Sequence, residues 1–482
     1  MSITAIVATL VGYIALLFFV AWRSSRGMEG KNFFTGGRST NSVVASVAMV
    51  GAAMSGVTYI SVPGSVAADG FSYLQTTLGF FFGYVIISYL LIPLYYRLGV
   101  VSLYEYLDRR FGASAHRTGA WFFFVAKILS ASLRAYIICV VLQKLLYDHY
   151  DIPFAANAFV MMAMVWLYTR RGGVRSVVWV EMLKSIIMLA SIVVAIVAIV
   201  DALGIGLGDA LSAIAQSDYS DTLFFDDPLD RRYFWKQFIA GIFLVVAMTG
   251  LDQDMMQTIL SCRNRRDAQR SMISSILIQT VVIALFLCLG ALLYIFADSR
   301  GIAVTQGDTL FGYVATECGL PVVVGILFLL GLVASTYSSA GSALTALTTS
   351  FTLDILGAKA DRVVSLRKLS HTAIALVMMC VIIIFGYTSA QGAITLIFTM
   401  ASYTYGPLLG MFAFGLFTRR NVRGSAIPVI AIVAPLLSYL VASNAASWFG
   451  GYQFSYEIII VNAAITMLGM SLFSTSAKCD AE

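Results

Sequence analysis

A run of hydroxyl side chains interrupts the long apolar segment between Pro321 and Leu353. The centre of the segment reads Ser335-Thr336-Tyr337-Ser338-Ser339, and Ser342, Thr345, Thr348 and Thr349 follow at near-helical spacing. No acidic or basic residue lies between Cys318 and Asp354, which is typical of a membrane-spanning helix. Polar oxygens near the centre of a bilayer are expected to face a partner, a cavity or an ion. Oxygen ligands suit a small, hard cation, although small hydroxylated residues also permit close helix packing.

An acid and a base lie close together inside another apolar segment. Glu181 and Lys184 are three residues apart and therefore on one helix face, where they can neutralise each other. A charge pair at this depth is costly unless it has a partner or a task. One interpretation is a structural pair that satisfies itself. The other is that the pair carries a proton or that the ammonium stands in for a cation.

Two further bases, Lys127 and Arg134, are seven residues apart and share a helix face. Lys127 is expected to extend toward the cytoplasm, whereas Arg134 lies near mid-depth and has less freedom to escape. A guanidinium facing a cavity is suited to bidentate binding of a carboxylate. We therefore expect a carboxylate-bearing ligand, with a structural partner such as Glu181 or Asp252 as the alternative.

These residues belong to a polytopic membrane protein. The chain has 482 residues, is 59% hydrophobic and 12% charged, and contains many apolar runs of about twenty residues, which excludes soluble globular classes. Roughly thirteen spans are predicted, near residues 3–22, 41–66, 72–96, 118–147, 154–169, 176–203, 234–261, 271–297, 321–353, 369–387, 391–417, 425–444 and 455–474.

The net charge of +6 indicates topology and not nucleic-acid binding, because the basic residues are dispersed among alternate loops. The positive-inside rule then predicts an N-terminus outside and a C-terminus in the cytoplasm. We expect a multi-pass protein of the cell inner (cytoplasmic) membrane, in contact with the lipid bilayer, with no nucleic acid and no obligatory protein partner.

Two spans are poor continuous helices. Gly51, Ser55 and Gly56 interrupt the second span, and Thr249-Gly250 precedes Asp252-Gln253-Asp254 in the seventh. Paired interruptions in corresponding halves point to a transporter built from inverted repeats. Within one transporter domain, 1–482, we expect an extra N-terminal span and loop at 1–39 and a first repeat at 40–203. A second repeat is expected at 204–417, and two C-terminal spans with a short tail at 418–482.

Nine short motifs occur in an order that resembles the solute:sodium symporter family. They are Gly36-Gly37-Arg38, Met54-Ser55-Gly56, Pro63-Gly64, Glu105-Tyr-Leu-xxx-Arg110-Phe111, Gly172-Gly173-Val174-Arg175, Gly250-Leu-Asp-Gln253-xxx-Gln257, Thr352-Leu-Asp354, Gly406-Pro407 and Gly415-Leu416-Phe417. The family includes symporters for proline, glucose, sialic acid, iodide and monocarboxylates. The resemblance implies an all-α, LeuT-like five-plus-five inverted repeat with two broken helices.

The resemblance also implies a site for sodium as the coupling ion. An ungapped match on Thr352-Leu-Asp354 assigns hydroxyl ligands to Ser338 and Ser339, and carbonyl ligands to Ser335, Gly51 and Met54. Some family members bind a second cation, and the corresponding positions here are Gly341, Ser342 and Glu181, so one hydroxyl is missing. One hypothesis is that the Lys184 ammonium replaces this second cation.

Arg134 resembles the arginine that sialic-acid symporters of the family use for the substrate carboxylate. The other expected substrate contacts are Thr58, Ser61, Tyr73, Gln75, Thr76, Thr249, Asp252, Gln253, Thr399 and Tyr403. The aromatic pattern of the sugar symporters is absent from Val245-Val246-Ala247-Met248-Thr249, so a glucose-type stacking pocket is not expected.

The predicted function is sodium-coupled import of a small organic solute, such as a sugar acid or a monocarboxylate, by alternating access. The alternative is a proton-coupled or cation-independent transporter that uses Glu181 and Lys184. A non-transporting membrane sensor is a remote third hypothesis. An enzyme is not expected, because the sequence offers no paired acid, base or nucleophile at one interface.

Overall fold

The computed structural model of the chain describes residues 3–24, 38–304, 306–358, 362–388 and 393–475. Gly36 and Gly37 of the first motif lie outside these ranges. The helices are α1 Ile3–Ser24, α2 Ser42–Ala53, α3 Gly56–Gly64, α4 Val66–Asp69, α5 Tyr73–Ile86, α6 Ile92–Leu98, α7 Glu105–Phe111, α8 Ala113–Leu145, α9 Phe154–Leu203, α10 Leu207–Gln216, α11 Phe234–Val245, α12 Gln253–Leu260, α13 Arg265–Ser299, α14 Gly307–Glu317, α15 Val322–Ser350, α16 Val363–Thr388, α17 Ala393–Phe417, α18 Ala426–Trp448 and α19 Ile458–Leu472.

Short irregular turns and one small sheet complete the fold. Five-residue π-helical turns follow α5, α11 and α15, at Ile87–Leu91, Val246–Gly250 and Phe351–Ile355. Tyr147–Tyr150 and Asp218–Ser220 form 3-10 turns. The two strands, β1 Asn421–Val422 and β2 Ser474–Thr475, are antiparallel.

The helices have the lengths and composition of membrane spans. Within the described ranges, eight helices are long and apolar enough to cross a membrane, and two bent helix pairs raise the number to ten. α19 is a shorter apolar helix. The third predicted span covers α5, the π-helical turn after it and α6. Each of the others coincides with one helix, one bent pair or one half of α9, so the predicted all-α polytopic architecture is confirmed.

The helical run α9 covers both the fifth and the sixth predicted span. A straight helix of its 50 residues would measure about 75 Å, more than twice the thickness of a bilayer core. Thr169 packs against Gly341 of α15, and the Lys184 ammonium contacts Ser339, two residues earlier on the same helix. The run therefore folds back between Thr169 and Lys184, in the region where Arg170, Arg171 and Arg175 predict a loop.

The two predicted helix breaks are confirmed. α2 and α3 meet at 61°, with Met54 and Ser55 in extended conformations between them. α11 and α12 meet at 67°, and Asp252 lies in an extended conformation at the second break. The Asp252 carboxylate accepts hydrogen bonds from the backbone N–H groups of Asp254 and Met255, which stabilises the start of α12.

Gly51 lies within α2, one turn before the first break, and allows α2 to approach α9 closely. A Cβ atom at this position would collide with the backbone oxygen of Glu181 and would lie 2.6 Å from the Ser185 hydroxyl. α9 also packs along α15 and α1, while α5 packs along α11. The first broken pair thus lies against α9, which carries Glu181 and Lys184.

Candidate functional site

A central cavity lies beside both helix breaks. Its lining combines charged, polar and apolar side chains, which is typical of a site for a small organic molecule. Its charged lining residues are Lys127, Arg134 and Asp252. Its uncharged polar lining residues are Ser55, Thr58, Tyr73, Tyr84, Ser130, Thr249, Gln279 and Tyr405. Met54, Met248, Met255 and Phe398 contribute apolar surface.

The structure places five of the expected substrate contacts in this cavity, namely Thr58, Tyr73, Arg134, Thr249 and Asp252. They come from both broken pairs, from the start of α5 and from the middle of α8. Their convergence depends on tertiary packing, because almost 200 residues separate Thr58 from Asp252 in the chain.

Gln75 and Thr76 lie outside the cavity. The Gln75 amide donates to the backbone oxygen of Arg232 at 2.8 Å and accepts from the N–H of Phe224 at 3.1 Å. Thr76 hydrogen-bonds to Gln237. Both side chains therefore attach α5 to α11 and to the segment before it, because they occupy a different face of α5 from Tyr73.

Gln253 and Ser61 also lie away from the cavity lining. The Gln253 amide donates to the backbone oxygen of Val101 at 2.9 Å and accepts from the N–H of Leu103 at 3.0 Å. It therefore joins the second break to the segment between α6 and α7. Ser61 is buried in α3, two residues before Pro63.

On α17, neither expected residue faces the cavity. Thr399 is exposed, and the Tyr403 ring packs against Tyr439 of α18 with 6.1 Å between ring centroids. Tyr405 lines the cavity instead and donates a hydrogen bond to Asp252. An α-helix turns by 100° per residue, so tyrosines two positions apart face different neighbours. The sequence contains both tyrosines but does not define the rotation of α17.

Lys127 does not extend toward solvent as expected. It is 4% exposed, and its ammonium lies 3.1 Å from Asp252 Oδ2 and 2.6 Å from Asp254 Oδ2. The physical reason is that two buried carboxylates at the second break attract the ammonium into the protein interior. Asp252 therefore pairs with Lys127 and not with Arg134.

Arg134 is the cavity cation that remains available. No ion pair joins it to any carboxylate in the described part of the chain, and its buried Nε atom has no hydrogen-bond partner there. The other suggested partner, Glu181, pairs with Lys184 at 2.9 Å. A guanidinium without a counter-ion, on the wall of a cavity, can bind an anionic ligand with two parallel hydrogen bonds.

The expected sodium ligands lie where α15 passes the first break. Ser335 faces the start of α3, with its Cβ 3.6 Å from where a Gly56 side chain would begin. The Ser335 and Ser338 hydroxyls are buried and, within the described ranges, have no hydrogen-bond partner. α2 ends just before Met54, so the last carbonyl oxygens of that helix do not all accept a hydrogen bond from a further helical turn. This donor set of hydroxyl and carbonyl oxygens fits a small hard cation.

Ser339 has a different neighbour from Ser338. The Lys184 ammonium donates to the Ser339 hydroxyl at 3.3 Å while it pairs with Glu181. Glu181 and Lys184 are both fully buried, and the Glu181 carboxylate lies beside Gly51. An ammonium thus lies directly at the edge of the expected sodium site.

At the possible second cation site, each of the three positions contacts a different partner. Any side chain at Gly341 would collide with the Tyr168 hydroxyl, which donates to the backbone oxygen of Tyr337 at 2.6 Å. Ser342 donates to Asp254, and Glu181 pairs with Lys184. The Tyr168 phenol therefore takes the space of the missing hydroxyl.

A cluster of hydrogen bonds joins several segments of the chain next to the second break. Tyr95 and Tyr104 donate to the backbone oxygens of Gly250 and Leu251 at 2.9 and 3.0 Å. Asp354, in the π-helical turn after α15, accepts from Ser102 and Ser350 and lies 2.9 Å from the His116 ring nitrogen. Sequence inspection missed these contacts because all but the local bond between Ser350 and Asp354 join distant segments of the chain.

Comparisons with known proteins agree on one family. The model of the "Sodium:solute symporter family" matches residues 33–431. Sodium-coupled monocarboxylate transporter 1 of Xenopus laevis is 27% identical over 435 residues, covering 86% of this chain and 67% of the relative. The sodium/sialic acid symporter SiaT of Proteus mirabilis is 22% identical over 481 residues, covering 94% and 93%. The chain spans only 61% of the human sodium/iodide cotransporter, to which it is 24% identical over 406 residues.

Solved structures agree with this fold. A substrate-bound, outward-open Na+-coupled sialic acid symporter superimposes with a TM-score of 0.83 at 19% identity, covering 98% of this chain and 99% of the other. A nucleobase-cation-symport-1 family transporter superimposes with a TM-score of 0.58 at 14% identity, covering 91% and 92%. These likenesses show that the chain has the LeuT-like fold with two broken helices.

Proposed function

Since the chain belongs to the sodium:solute symporter family, we propose that it imports a small carboxylate-bearing solute together with sodium. One observation supports the choice of a carboxylate-bearing solute. Of the three basic side chains at the centre of the molecule, Lys127 and Lys184 have carboxylate partners, whereas Arg134 has none in the described residues. A carboxylate bound at Arg134 would give this guanidinium the charged partner that it lacks.

The remaining lining supports a solute that is partly polar. Hydroxyl groups of Thr58, Tyr73 and Thr249 can hydrogen-bond to hydroxyl or carbonyl groups of the solute. The methionines and Phe398 on the other walls can cover its carbon skeleton. A sugar acid or a short monocarboxylate has this chemistry, and named relatives include transporters for sialic acid and for monocarboxylates.

The proposed sodium site comprises the Ser338 and Ser339 hydroxyls and the backbone oxygens of Gly51, Met54 and Ser335. Two features support it: buried hydroxyls on α15 that have no hydrogen-bond partner among the described residues, and the interrupted helix beside them. Sodium bound there would connect α15 to the broken pair α2–α3. Because α3 also carries Thr58 of the cavity, sodium occupancy would favour the conformation that binds solute.

Alternating access would then move one repeat against the other. The proposed repeats, 40–203 and 204–417, each contain one broken pair, and residues 1–39 and 418–482 lie outside them. The basic loops support an N-terminus outside and a C-terminus in the cytoplasm of a cell inner membrane.

Uptake into proteoliposomes tests this function. The purified chain is reconstituted and offered radiolabelled lactate, gluconate, glucuronate and sialic acid, with glucose as an uncharged control. An inward sodium gradient should drive accumulation of at least one acid and not of glucose. Absence of uptake of every acid, or uptake of equal size without sodium, would refute the proposal.

A second candidate is a proton-coupled or cation-independent transporter that uses Glu181 and Lys184. It is favoured by the 3.3 Å contact between the Lys184 ammonium and the Ser339 hydroxyl, because a resident ammonium can take the place of a bound cation. The same proteoliposomes distinguish the two. Accumulation driven by a pH gradient in sodium-free buffer, and lost in Lys184→Gln, would favour this second candidate.

A further inference from the structure

Two basic segments that are far apart in the sequence adjoin helices that pack against each other. Residues 170–175 lie at the chain reversal within α9, and residues 359–368 lie at the start of α16, which packs along α9. Together they contain one acid, Asp361, and seven bases, Arg170, Arg171, Arg175, Lys359, Arg362, Arg367 and Lys368. The transport site proposed above uses none of these bases. Their concentration in two adjoining segments indicates a surface that attracts anions.

The Trp166 side chain links α9 and α16 at an exposed position. Its indole N–H donates to the Thr372 hydroxyl of α16 at 3.0 Å. At the other end of the two helices, a side chain at Gly386 of α16 would collide with the Phe154 ring at the start of α9. The first half of α9 and α16 are therefore antiparallel, and the two basic segments lie at the same end of both helices.

Arg170 and Lys368 flank the bond between Trp166 and Thr372. Arg170 lies one turn beyond Trp166 on α9, and its guanidinium is 5.0 Å from the centre of the Trp166 ring. Lys368 lies one turn before Thr372 on α16, and its backbone oxygen accepts a hydrogen bond from the Thr372 hydroxyl at 3.1 Å. Because the helices are antiparallel, both bases lie on the same side of the Trp166–Thr372 bond. These four residues are called here the Trp166 patch.

The two bases of the Trp166 patch have no carboxylate partner among the residues that the structure describes. Both Arg170 and Lys368 are exposed. A guanidinium and an ammonium on neighbouring helices can both donate hydrogen bonds to the oxygens of one phosphate group. The patch therefore has the charge and the donors to bind an anion.

Exposed apolar side chains continue from the Trp166 patch along both helices. On α9 and α16 they are Phe159, Val160, Leu167, Leu369 and Leu376. α16 is long and apolar enough to cross a membrane, so its exposed apolar side chains are expected to contact lipid tails. Tryptophan is typical of the boundary between lipid tails and headgroups. The Trp166 patch is therefore expected to lie at the level of the lipid headgroups.

We propose that the Trp166 patch binds the headgroup of an anionic phospholipid. The phosphate group contacts the Arg170 guanidinium and the Lys368 ammonium, and the acyl chains lie along the exposed apolar side chains of α9 and α16. A phospholipid fits better than a free phosphate ion, because the apolar surface next to the two bases adds binding energy that only acyl chains can use. A zwitterionic lipid fits less well, because its own positive charge is repelled by the two bases.

A lipid bound at the Trp166 patch would stabilise the packing of three helices. His371, next to Thr372, is buried, and its two ring nitrogens are each 3.0 Å from a hydroxyl, that of Thr169 on α9 and that of Thr348 on α15. A lipid that bridges α9 and α16 therefore also supports the contact of α16 with α15. This effect depends neither on the identity of the solute nor on the coupling ion.

Thermal unfolding of the full chain in detergent, with added lipid, tests the proposal. Phosphatidylglycerol and phosphatidylcholine with the same acyl chains are titrated separately, and the unfolding midpoint is measured. Phosphatidylglycerol should raise the midpoint in a saturable way, whereas phosphatidylcholine should raise it much less. Inorganic phosphate at the same concentrations should leave the midpoint unchanged, because it has no acyl chains.

In Arg170→Gln/Lys368→Gln, the half-saturating concentration of phosphatidylglycerol should rise roughly thirtyfold, since each base contributes a factor of about five to the binding of an anionic lipid surface. The matched control is Arg265→Gln/Arg266→Gln, which removes two charges from exposed positions at the start of α13 and should respond as the wild type does. Arg170→Lys/Lys368→Arg keeps both charges and should also retain the response, which separates a loss of charge from misfolding.

Four outcomes would overturn the proposal. The two lipids could raise the midpoint equally, or the glutamine variant of the patch could respond to phosphatidylglycerol as the wild type does. The control variant could lose the response to the same extent, which would indicate a general effect of net charge. Inorganic phosphate could raise the midpoint as much as phosphatidylglycerol does, which would assign the patch to a free anion.

Discussion

Lys184 and Ser339 contact each other, with the lysine ammonium 3.3 Å from the serine hydroxyl. One residue belongs to the buried pair with Glu181, and the other is a proposed sodium ligand. The ammonium therefore opposes a cation at this site, while the Glu181 carboxylate beside Gly51 attracts one. The opposite effects of these two charges on a bound cation lead to the first prediction.

Lys184→Met is expected to destabilise the protein in sodium-free buffer by about 3 kcal/mol, because Glu181 is left as an unpaired buried charge. Sodium should restore most of this loss, since the cation can then replace the ammonium. The measurement is the thermal unfolding midpoint in detergent with sodium or choline chloride. The matched control is Glu181→Gln/Lys184→Met, which leaves no net charge and should respond to sodium much less. An equal sodium response of the two variants would contradict this account.

Ser338→Ala should abolish sodium-induced stabilisation, because it removes a hydroxyl ligand. Ser335→Ala should leave it nearly unchanged, since only the backbone oxygen of Ser335 is a proposed ligand. Both hydroxyls are buried without a partner in the described residues, so the two substitutions are matched in packing. Equal losses in both variants would indicate a packing role for these serines.

Arg134→Ala should weaken the apparent affinity for the transported acid by about 3 kcal/mol, or roughly a hundredfold, because the bound carboxylate loses its charged partner. Arg134→Lys keeps the charge without the bidentate geometry, so its apparent affinity should lie between those of the wild type and Arg134→Ala. The readout is the concentration dependence of sodium-driven uptake. An unchanged affinity in Arg134→Ala would place the carboxylate elsewhere.

Asp354→Asn should lower the free energy of unfolding by about 2 kcal/mol, since Ser102, Ser350 and His116 lose a charged acceptor. The matched control is Asp298→Asn, whose carboxylate accepts only an exposed bond from Tyr219 in the described contacts. That substitution should cost less than about 0.5 kcal/mol. Comparable losses of unfolding free energy in the two variants would argue against a central role for Asp354 in this cluster of hydrogen bonds.

Gly341→Ser would restore the hydroxyl that the second cation site of some family members contains. It should cost about 2 kcal/mol, because the new side chain collides with the Tyr168 hydroxyl. In a Tyr168→Ala background, Gly341→Ser should cost less than it does in the wild type, because the hydroxyl that the new side chain meets is gone. Gly12→Ser, at a position with open space, is the control. A fully stable Gly341→Ser variant would show that Tyr168 can move aside.

The helices and their breaks could be predicted because their signals are local. Apolar runs of sufficient length define spans, and the change of residue type near Ser55 and Asp252 weakens helix formation at those points. The rotation of each helix is not a local property. Tyr403 and Tyr405 have the same side chain. Only the packing of α17 against α18 and the second break determines which of them faces the cavity.

The sequence by itself determined the all-α membrane architecture, the position of both breaks and the hydroxyl run on α15, because hydrophobic length and residue type act over a few helical turns. Only the tertiary structure decided the contacts between charged and polar groups that lie far apart in the chain. Lys127 and Asp252 are 125 residues apart, and Lys184 and Ser339 are 155 apart. Electrostatic pairing in a buried environment depends on distances of a few ångströms, and those distances arise only when the helices are packed.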